Sequence, residues 1–378
     1  MIGAEHVPLM RRALALAERG GGGTAPNPMV GCVLVGPDGR VIGEGYHRFA
    51  GGPHAEVVAL EAARARGIDP ADATAVVTLE PCDTHHRTPP CTMALLEAGV
   101  AEVVYALPDP HMGKGGADRL RAGGLKVTGG VLEAEARRLI EPWLHFVATG
   151  RPHLHVKTAQ TLNGRVTLGR EGEPWITGPE TRRLVHRLRR RTPAVMVGSG
   201  TVLADDPLLT VRDWPPPDET EEWPEVQPVR LVLDTRLRTP LEARLVTTAE
   251  DVPLWIFAGR DAPDEREREL VARGAEVIRV ATGRAGLDLA AVTDELARLE
   301  VPGVLIEAGP TLATALLEAG LVDRWTMLLA PDWVTRKGAL PVLLTDAPYI
   351  GFELVDPEWS IHGPDAAVTG RVRRDGQL

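Results

Sequence analysis

Cysteine is scarce in this chain, with three in 378 residues: Cys32, Cys82 and Cys91. So sparse and odd a set excludes the disulfide framework of a small secreted domain and points to a cytoplasmic protein in which two thiols bind metal. Long apolar runs are missing as well; none approaches the ~18 residues that a membrane helix needs. Glu5, Arg11, Arg12, Glu18 and Arg19 break any signal-peptide core at the N-terminus. Leu9, Ala13, Leu16 and Ala17 instead recur at helical spacing there. A positive surplus is absent, the formal net charge being −10. Neither a broad nucleic-acid surface nor an anionic-membrane surface is therefore expected. Lysine is nearly absent (Lys114, Lys126, Lys157 and Lys337), and arginine supplies the remaining positive charge, as a GC-biased genome would have it. No Gly-x-Gly-x-x-Gly joins a strand to a helix, so a Rossmann dinucleotide site is not indicated. No internal repeat relates the two halves.

What is present is long enough for two cores. Both halves alternate strand-like and helix-like patterns, so each is expected to be α/β. Val30–Val35 and Val41–Tyr46 read as a hairpin around the turn Gly36-Pro37-Asp38-Gly39. A helix from His54 to Ala65, a buried strand Ala75–Leu79, a helix from Pro90 to Ala98 and a strand Ala101–Ala106 follow, and Leu132 to Val147 reads as one closing helix. Gly150-Arg151-Pro152 punctuates the chain, and the expected domains are residues 1–148 and 149–378. In the second half, strands are expected at His153–Thr158, Ala194–Val197, Val229–Asp234, Leu254–Ala258, Val277–Val280 and Val304–Glu307. Helices are expected at Thr181–Arg190, Leu287–Leu299 and Leu312–Glu318. The stretch from Asp213 to Pro228, with five prolines and six acidic residues, reads as a solvated loop.

The most informative pattern is His54-Ala55-Glu56, followed by Pro81-Cys82 and then Cys91. A lone His-x-Glu or a lone cysteine pair arises by chance, and two such cysteines could be buried thiols. Together, in this order, they supply what a zinc deaminase needs: one imidazole, two thiolates, an open fourth position and a carboxylate outside the ligand set. Thr88-Pro89-Pro90 suits a helix start at Cys91, where the helix dipole favours thiolate. Zinc with two thiolates and a neutral imidazole is formally neutral and a weak Lewis acid. Its water would need a base, and Glu56 is placed to be one. Cys32, in the apolar run Val30-Gly31-Cys32-Val33-Leu34, reads as a core thiol.

These residues carry a resemblance. His54-Ala55-Glu56, Thr78-Leu79-Glu80-Pro81-Cys82 and Arg87-Thr88-Pro89-Pro90-Cys91, with Pro26-Asn27-Pro28, Gly45-Tyr46-His47 and Asp109-Pro110, resemble the deaminase domain of the bifunctional riboflavin biosynthesis deaminase–reductases. The resemblance implies a cytidine-deaminase-like zinc domain, one zinc per chain, and Asn27, His47, Arg87 and Asp109 at the pyrimidine or its ribose phosphate. The wide gap between the cysteines, where nucleic-acid deaminases carry Pro-Cys-x-x-Cys, points to a free nucleotide. Two departures stand out: Asp83-Thr84-His85-His86 after the first cysteine, and His111 where the family has asparagine.

In the second half, Val304-Leu305-Ile306-Glu307-Ala308-Gly309-Pro310-Thr311 reads as a strand ending at a helix start fit for a phosphate. Val197-Gly198-Ser199-Gly200-Thr201 is a second candidate loop. On residue type alone, Arg189 and Arg212 read as surface arginines and Glu307 as a strand-end ion pair. The resemblance to the same family's reductase domain rests on Lys157, Leu162-Asn163-Gly164-Arg165, Trp175-Ile176-Thr177, the run from Thr201 to Arg212, and Glu307 to Thr311. It implies a dihydrofolate-reductase-like fold. Ala159, Trp175, Thr201, Asp205, Thr235, Gly309, Pro310, Thr311, Leu312, Ala313, Thr314 and Ala315 would line an NADPH site, and Glu173, Arg189, Leu209, Arg212 and Glu307 would face substrate. Glu173 stands where the family often has a small polar residue. Lys157 is a candidate proton donor on residue type. The implied chemistry is zinc-dependent deamination of 2,5-diamino-6-ribosylamino-4(3H)-pyrimidinone 5′-phosphate, then NADPH-dependent reduction of its ribosyl to a ribityl chain. A phosphorylated pyrimidine is the expected partner, and a homo-oligomer the expected assembly. Two rivals remain: another base or nucleotide deaminase fused to an unrelated domain, and a non-catalytic zinc-stabilised module, which would have no use for Glu56.

Overall fold

The computed structural model describes residues 4–84, 89–111, 115–166, 175–212, 223–284, 286–345 and 351–374. Contacts divide the chain into two compact units, Met1–Gly150 with Glu222–Val226, and Arg151–Glu221 with Gln227–Leu378. Among the described residues no helix is long and apolar enough to cross a membrane.

The first unit runs α1 (Val7–Glu18), β1 (Gly31–Val35), β2 (Val41–Tyr46), α2 (Ala55–Ala65), β3 (Thr74–Leu79), α3 (Cys91–Glu97), β4 (Glu102–Leu107), α4 (Gly116–Ala122), β5 (Lys126–Gly129), α5 (Glu133–Leu139) and α6 (Glu141–Thr149). Its sheet has the order β2-β1-β3-β4-β5. β1 is antiparallel to β2 and β3, while β3, β4 and β5 run parallel. Both faces are covered, which is why β1 is buried along its whole length. Val33 and Val35 meet Met10 and Trp143 on one side, and Cys32 and Leu34 meet Leu60 and Leu95 on the other. Cys32 is the core thiol its neighbours implied.

The single closing helix expected over 132–147 is two helices meeting at Ile140, which has φ −109° and ψ 22°. Pro142 is the reason. It has no N–H to give and its ring crowds the preceding turn, so the chain must start a new helix there.

The second unit comprises β6 (His153–Thr161), α7 (Pro179–Arg191), β7 (Ala194–Gly198), α8 (Ser199–Asp205), β8 (Val229–Leu233), α9 (Arg244–Thr247), β9 (Leu254–Gly259), α10 (Asp264–Val271), β10 (Glu276–Val280), the short ribbon β11 (Thr282–Gly283) and β12 (Gly286–Leu287), α11 (Leu289–Arg298), β13 (Gly303–Glu307), α12 (Pro310–Glu318), β14 (Arg324–Ala330), β15 (Phe352–His362) and β16 (Asp365–Arg374). The sheet order is β10-β9-β8-β7-β13-β6-β14-β16-β15. It is parallel up to β14, and β16 and β15 close it as an antiparallel hairpin. Val195, Val197 and Leu305 pack on one face, Met196, Ile306 and Trp325 on the other. The strands inserted between β6 and β7 and beside β6 make the sheet reverse its direction of growth. Their carboxyl ends therefore open the crevice where α/β sheets take ligands.

Candidate active sites

In the first unit, α2 lies unusually close to β2, because that strand offers glycine where the helix passes. A Cβ at Gly43 would stand 2.2 Å from the carbonyl oxygen of Ala59, and one at Gly45 2.5 Å from that of Ala55. This packing buries Glu56 in the first turn of α2. His54 stands immediately before the helix, in extended conformation.

Cys82 follows β3, and Cys91 is the first residue of α3. His54 Nδ1 lies 3.2 Å from Cys91 Sγ and 3.5 Å from Cys82 Sγ. The Cys91 backbone N–H donates to Cys82 Sγ at 3.4 Å, so a sulfur takes up a donor at the start of α3. Thr92 Oγ1 donates to Asp83 Oδ1 at 2.6 Å, closing the loop between the two cysteines. Thr88, read as a cap, and His85, His86 and Arg87 lie outside the described residues.

The three donor atoms lie within 4.8 Å of one another, and among the described residues no further His, Cys, Asp or Glu joins them. A tetrahedral zinc with bonds of ~2.0–2.3 Å would hold its ligand atoms roughly 3.5–3.8 Å apart. The donor set and spacing fit that ion and leave one vertex without a protein ligand.

Electrostatics agree. The Cys82 thiol is lowered to about 4, chiefly by its hydrogen bond with Cys91 and further by His54. Cys91 is pushed up by that same bond and by burial, so the two sulfurs share one proton. His54 is raised by its bond to Cys82. These are the protons a metal displaces on binding. Glu56 is raised by burial, opposed by His54, which brings a carboxyl group toward the range where it can both take and give a proton.

Around this cluster the structure gathers several of the other expected residues. Asn27 Nδ2 is 3.1 Å from His47 Nε2, and His47 Nδ1 is 3.0 Å from the Pro53 carbonyl oxygen. That carbonyl can only accept, so Nδ1 carries the proton and Nε2 accepts from Asn27. The His47 ring meets the His54 ring edge-on, with centroids 5.4 Å apart. Burial lowers His47 and keeps it neutral. Asp109 receives the His111 N–H at 2.8 Å.

One residue escaped the sequence reading. Glu80 is buried, and its two carboxylate oxygens accept the backbone N–H groups of Asp109 (3.1 Å) and Ala117 (2.8 Å). It thereby fixes the loop that carries Asp109. An acid wedged between a buried strand and Pro81-Cys82 was the available signal.

In the second unit, Glu307 ends β13 directly beside Lys157 of β6 in register. Its Oε2 lies 3.1 Å from Lys157 Nζ, and its Oε1 2.5 Å from Arg189 Nε. Arg189 also donates to the Thr210 carbonyl at 2.7 Å. Burial would raise the Glu307 carboxyl, but Arg189 and Lys157 hold it well below its usual range. The strand-end ion pair expected from residue type is therefore real, and it sits where the resemblance puts substrate.

Arg212 Nη1 donates to Thr210 Oγ1 (2.8 Å), and its backbone N–H to His186 Nδ1 (3.1 Å). Leu209 is buried with φ +56°, a strained geometry for a branched residue. Helix α7, which carries Arg189, is anchored at its start by Asp365. That carboxylate accepts from the Gly178 N–H and from Thr181 Oγ1, both at 2.7 Å. Glu173 lies outside the described residues.

Apart from Trp175, the expected cofactor residues fall near or just beyond the carboxyl ends of β6, β7, β8 and β13. Ala159 is two residues beyond Lys157 on β6. Thr201 lies in α8, facing Gly309, where an added Cβ would sit 3.4 Å from Thr201 Oγ1. A Cβ at Gly198 or Gly200 would meet nothing within 4 Å, so the backbone there leaves open space that a phosphate chain could enter. Gly309 precedes α12 with no side-chain cap, and Pro310 to Ala315 form the helix's first turns, with Thr311 and Leu312 presenting their N–H groups at the opening. Thr314 Oγ1 is taken by the Pro310 carbonyl and the Leu344 N–H. Thr235 follows β8, and a Cβ at Gly286 would lie 3.3 Å from its Oγ1. Asp205 ends α8, raised by burial and eased by Lys157. Trp175 is 57% exposed, with the Arg182 guanidinium 5.5 Å over its ring. This geometry fits a dinucleotide laid along the strand ends.

The chain is similar to known proteins over nearly its whole length. Residues 4–107 match the family described as the cytidine and deoxycytidylate deaminase zinc-binding region, and 152–339 match the RibD C-terminal domain. The riboflavin biosynthesis protein RibD of Escherichia coli K12 is 41% identical, the match covering 93% of this chain and 97% of that one. RibD of Aquifex aeolicus is 40% identical, covering 85% and 86%. Among solved structures, Acinetobacter baumannii RibD aligns with TM-score 0.79 at 34% identity, over 97% of this chain and 99% of the other. The diaminohydroxyphosphoribosylaminopyrimidine deaminase/5-amino-6-(5-phosphoribosylamino)uracil reductase of Thermotoga maritima aligns with TM-score 0.78 at 33% identity, over 98% of each.

Proposed function

The chain belongs to the RibD family of bifunctional deaminase–reductases of riboflavin biosynthesis, and on that premise we propose how its residues divide the two reactions. Residues 1–148 form the zinc deaminase and 149–378 the NADPH-dependent reductase. The substrate is 2,5-diamino-6-ribosylamino-4(3H)-pyrimidinone 5′-phosphate, which loses its 2-amino group and is then reduced from ribosyl to ribityl.

Zinc, when bound, supplies a Lewis acid to the hydrolysis, and NADPH, when bound, supplies the hydride of the reduction. His54, Cys82 and Cys91 hold the metal. Glu56 takes a proton from the attacking water and returns it to the departing amine. Its burial supports this role, since desolvation raises the carboxyl above its usual range and makes it readier to take up a proton. Asn27, His47, Arg87 and Asp109 orient the ring and its phosphate, with neutral His47 fixed between Asn27 and the Pro53 carbonyl.

In the reductase, Ala159, Trp175, Thr201, Asp205, Thr235 and Gly309 to Ala315 line the cofactor. Glu307 holds ribose hydroxyls, while Arg189, Arg212, Leu209 and Glu173 complete the substrate pocket. Lys157, with its Nζ 3.1 Å from Glu307 Oε2 and its side chain 13% exposed, is placed to deliver the proton that accompanies the hydride. We also assign the protein to the cytoplasm, where thiol ligands stay reduced, and to a homo-oligomer. The edge strand β15 supports the latter, with Trp359 66% and Ile361 74% exposed on one face.

The observation that carries this reading is the His54–Cys82–Cys91 cluster with buried Glu56 beside it and outside it. Incubating the protein with the diaminopyrimidine phosphate, with and without NADPH, tests it by mass. Exchange of one amino group for oxygen is expected in both cases, and gain of two hydrogens only with NADPH. Absence of the first product removes the deaminase assignment.

A further inference from the structure

After α8 the chain runs through residues 206–212, which belong to no strand or helix. This loop carries Leu209 and Arg212, assigned above to the substrate pocket, and its shape is a costly one. Asp206 has φ +39° and Leu209 φ +56°, both in the left-handed region without being glycine. Such residues persist only where the surroundings dictate them. The Leu209 side chain is buried with Val195, Leu237 and Leu245, which anchors the loop from below. Directly after it, the Thr210 carbonyl accepts from Arg189 Nη1 at 2.7 Å, and Arg189 in turn donates to Glu307.

With no neighbouring strand to pair with, the loop finds its backbone partners among side chains. Val211 is bracketed by one of them. Its N–H donates to Gln227 Oε1 at 2.7 Å, and its carbonyl accepts from Gln227 Nε2 at 3.2 Å. A primary amide offers one donor side and one acceptor side, so it stands in for a strand. The Arg212 N–H goes to His186 Nδ1 of α7 at 3.1 Å, and the Leu208 carbonyl accepts from Arg230 Nη1 at 3.4 Å. Arg230 lies on β8, three residues after Gln227, and is fully buried. Its other bonds go to Thr248 Oγ1 (2.7 Å), the Thr248 carbonyl (3.0 Å) and the Val252 carbonyl. Burial lowers this guanidinium to about 10, opposed by Asp251. A cation is kept here against desolvation. Its planar fork reaches what an apolar side chain could not, the loop on one side and the turn after α9 on the other.

We propose that Gln227 and Arg230 are positioning residues for the reduction, holding residues 208–212 in the strained shape that presents Leu209, Thr210 and Arg212 to the substrate. This rests on the reading of Leu209 and Arg212 as substrate contacts. Both residues act through the loop: Gln227 fixes Val211 between Thr210 and Arg212, and Arg230 fixes the peptide that leads into Leu209. Without them the loop relaxes toward ordinary φ values, and the substrate must restore the strained shape at the expense of its own binding. The cofactor residues Ala159, Thr235 and Gly309 to Ala315 lie on other segments. Relaxation of the loop therefore weakens the hold on substrate and spares NADPH.

The test is steady-state reduction of the deaminated compound by the full chain, followed by NADPH absorbance with each substrate varied in turn. Gln227→Glu keeps the shape and sets an oxygen against the Val211 carbonyl, while Gln227→Ala removes both bonds. In each variant KM for the deaminated compound should rise about ten- to hundredfold, the cost of a misplacement of roughly 1 Å. KM for NADPH and the rate of ammonia release should stay at parent values. Arg230→Lys keeps the charge without the fork and should move KM the same way. Gln227 is only partly buried, so its variants carry the test if Arg230→Lys fails to fold, which melting curves reveal. A parent-like KM for the deaminated compound in both Gln227 variants overturns the proposal. Equal rises in KM for compound and NADPH also overturn it, leaving the two residues a purely structural role. A parent chain that does not oxidise NADPH with the deaminated compound overturns the substrate assignment, and the proposal with it.

Discussion

At the scale of single residues, the deaminase depends on dividing labour between ligands and a carboxylate outside them. Cys82→Ser and Cys91→Ser are expected to strip the chain of zinc, read by elemental analysis of the purified protein. Glu56→Gln should keep its zinc and lose ammonia release by about 10²–10⁴-fold, the usual worth of general acid–base transfer. A variant that turns over normally removes Glu56 from the reaction. Glu307 poses a different question, because it neutralises two cations, the buried Arg189 and the partly buried Lys157. Glu307→Gln leaves both without a counter-charge and should cost about 3–5 kcal/mol at neutral pH. The folded carboxyl is held below its unfolded value of roughly 4.3. Its contribution is therefore complete above that pH and is lost as acid carries the pH down toward the folded value. Melting curves of parent and variant should lie far apart at pH 7 and converge toward pH 3. A constant gap would show that the Glu307 charge is not what stabilises the unit.

At the scale of elements, what the sequence revealed follows from how local each signal was. The β1–β2 hairpin was legible because a continuous apolar run and the Gly36-Pro37-Asp38-Gly39 turn are contained within it. The metal site was legible because ligand spacing survives without coordinates. Helix α4 and strand β5 were not, being seven and four residues long, and the strand having no buried residue. The β15–β16 hairpin was hidden by the irregularity between Val355 and Glu358 and by Pro357, which blur a period of two. Glu80 acts through the backbone N–H groups of Asp109 and Ala117, far away in the chain, which no spacing rule encodes. The closeness of α2 to β2 is likewise a tertiary fact that yields a prediction. Gly43→Ala forces a Cβ against the Ala59 carbonyl, and such overpacking costs typically 1–3 kcal/mol. Because that helix carries Glu56 and begins beside His54, deamination and zinc retention should both fall, while reduction of the deaminated intermediate persists. Loss of both reactions to the same degree would mean that the strain is not confined to the first unit.

At the scale of the whole molecule, every proposed zinc ligand precedes Gly150, and every reductase residue from Ala159 to Ala315 follows it. Treating the intact protein with a zinc chelator should therefore abolish ammonia release and leave reduction of the deaminated compound unchanged, both followed by mass. Equal loss of the two, with circular dichroism unaltered, would refute the division of labour. The two units also differ in when they can be completed. The first sheet is whole once β5 ends at Gly129. Helix α7, which delivers Arg189 to Glu307, is anchored by Asp365, a residue 187 positions after Gly178. At a translation rate of ~5–20 residues per second, that anchor arrives roughly ten to forty seconds after the helix it secures. Once β14 has been made and until β16 follows, its edge is unpaired and open to other chains. The deaminase can mature co-translationally, whereas the reductase must wait for the last strands, and a message cut short near its end would yield a chain that deaminates without reducing.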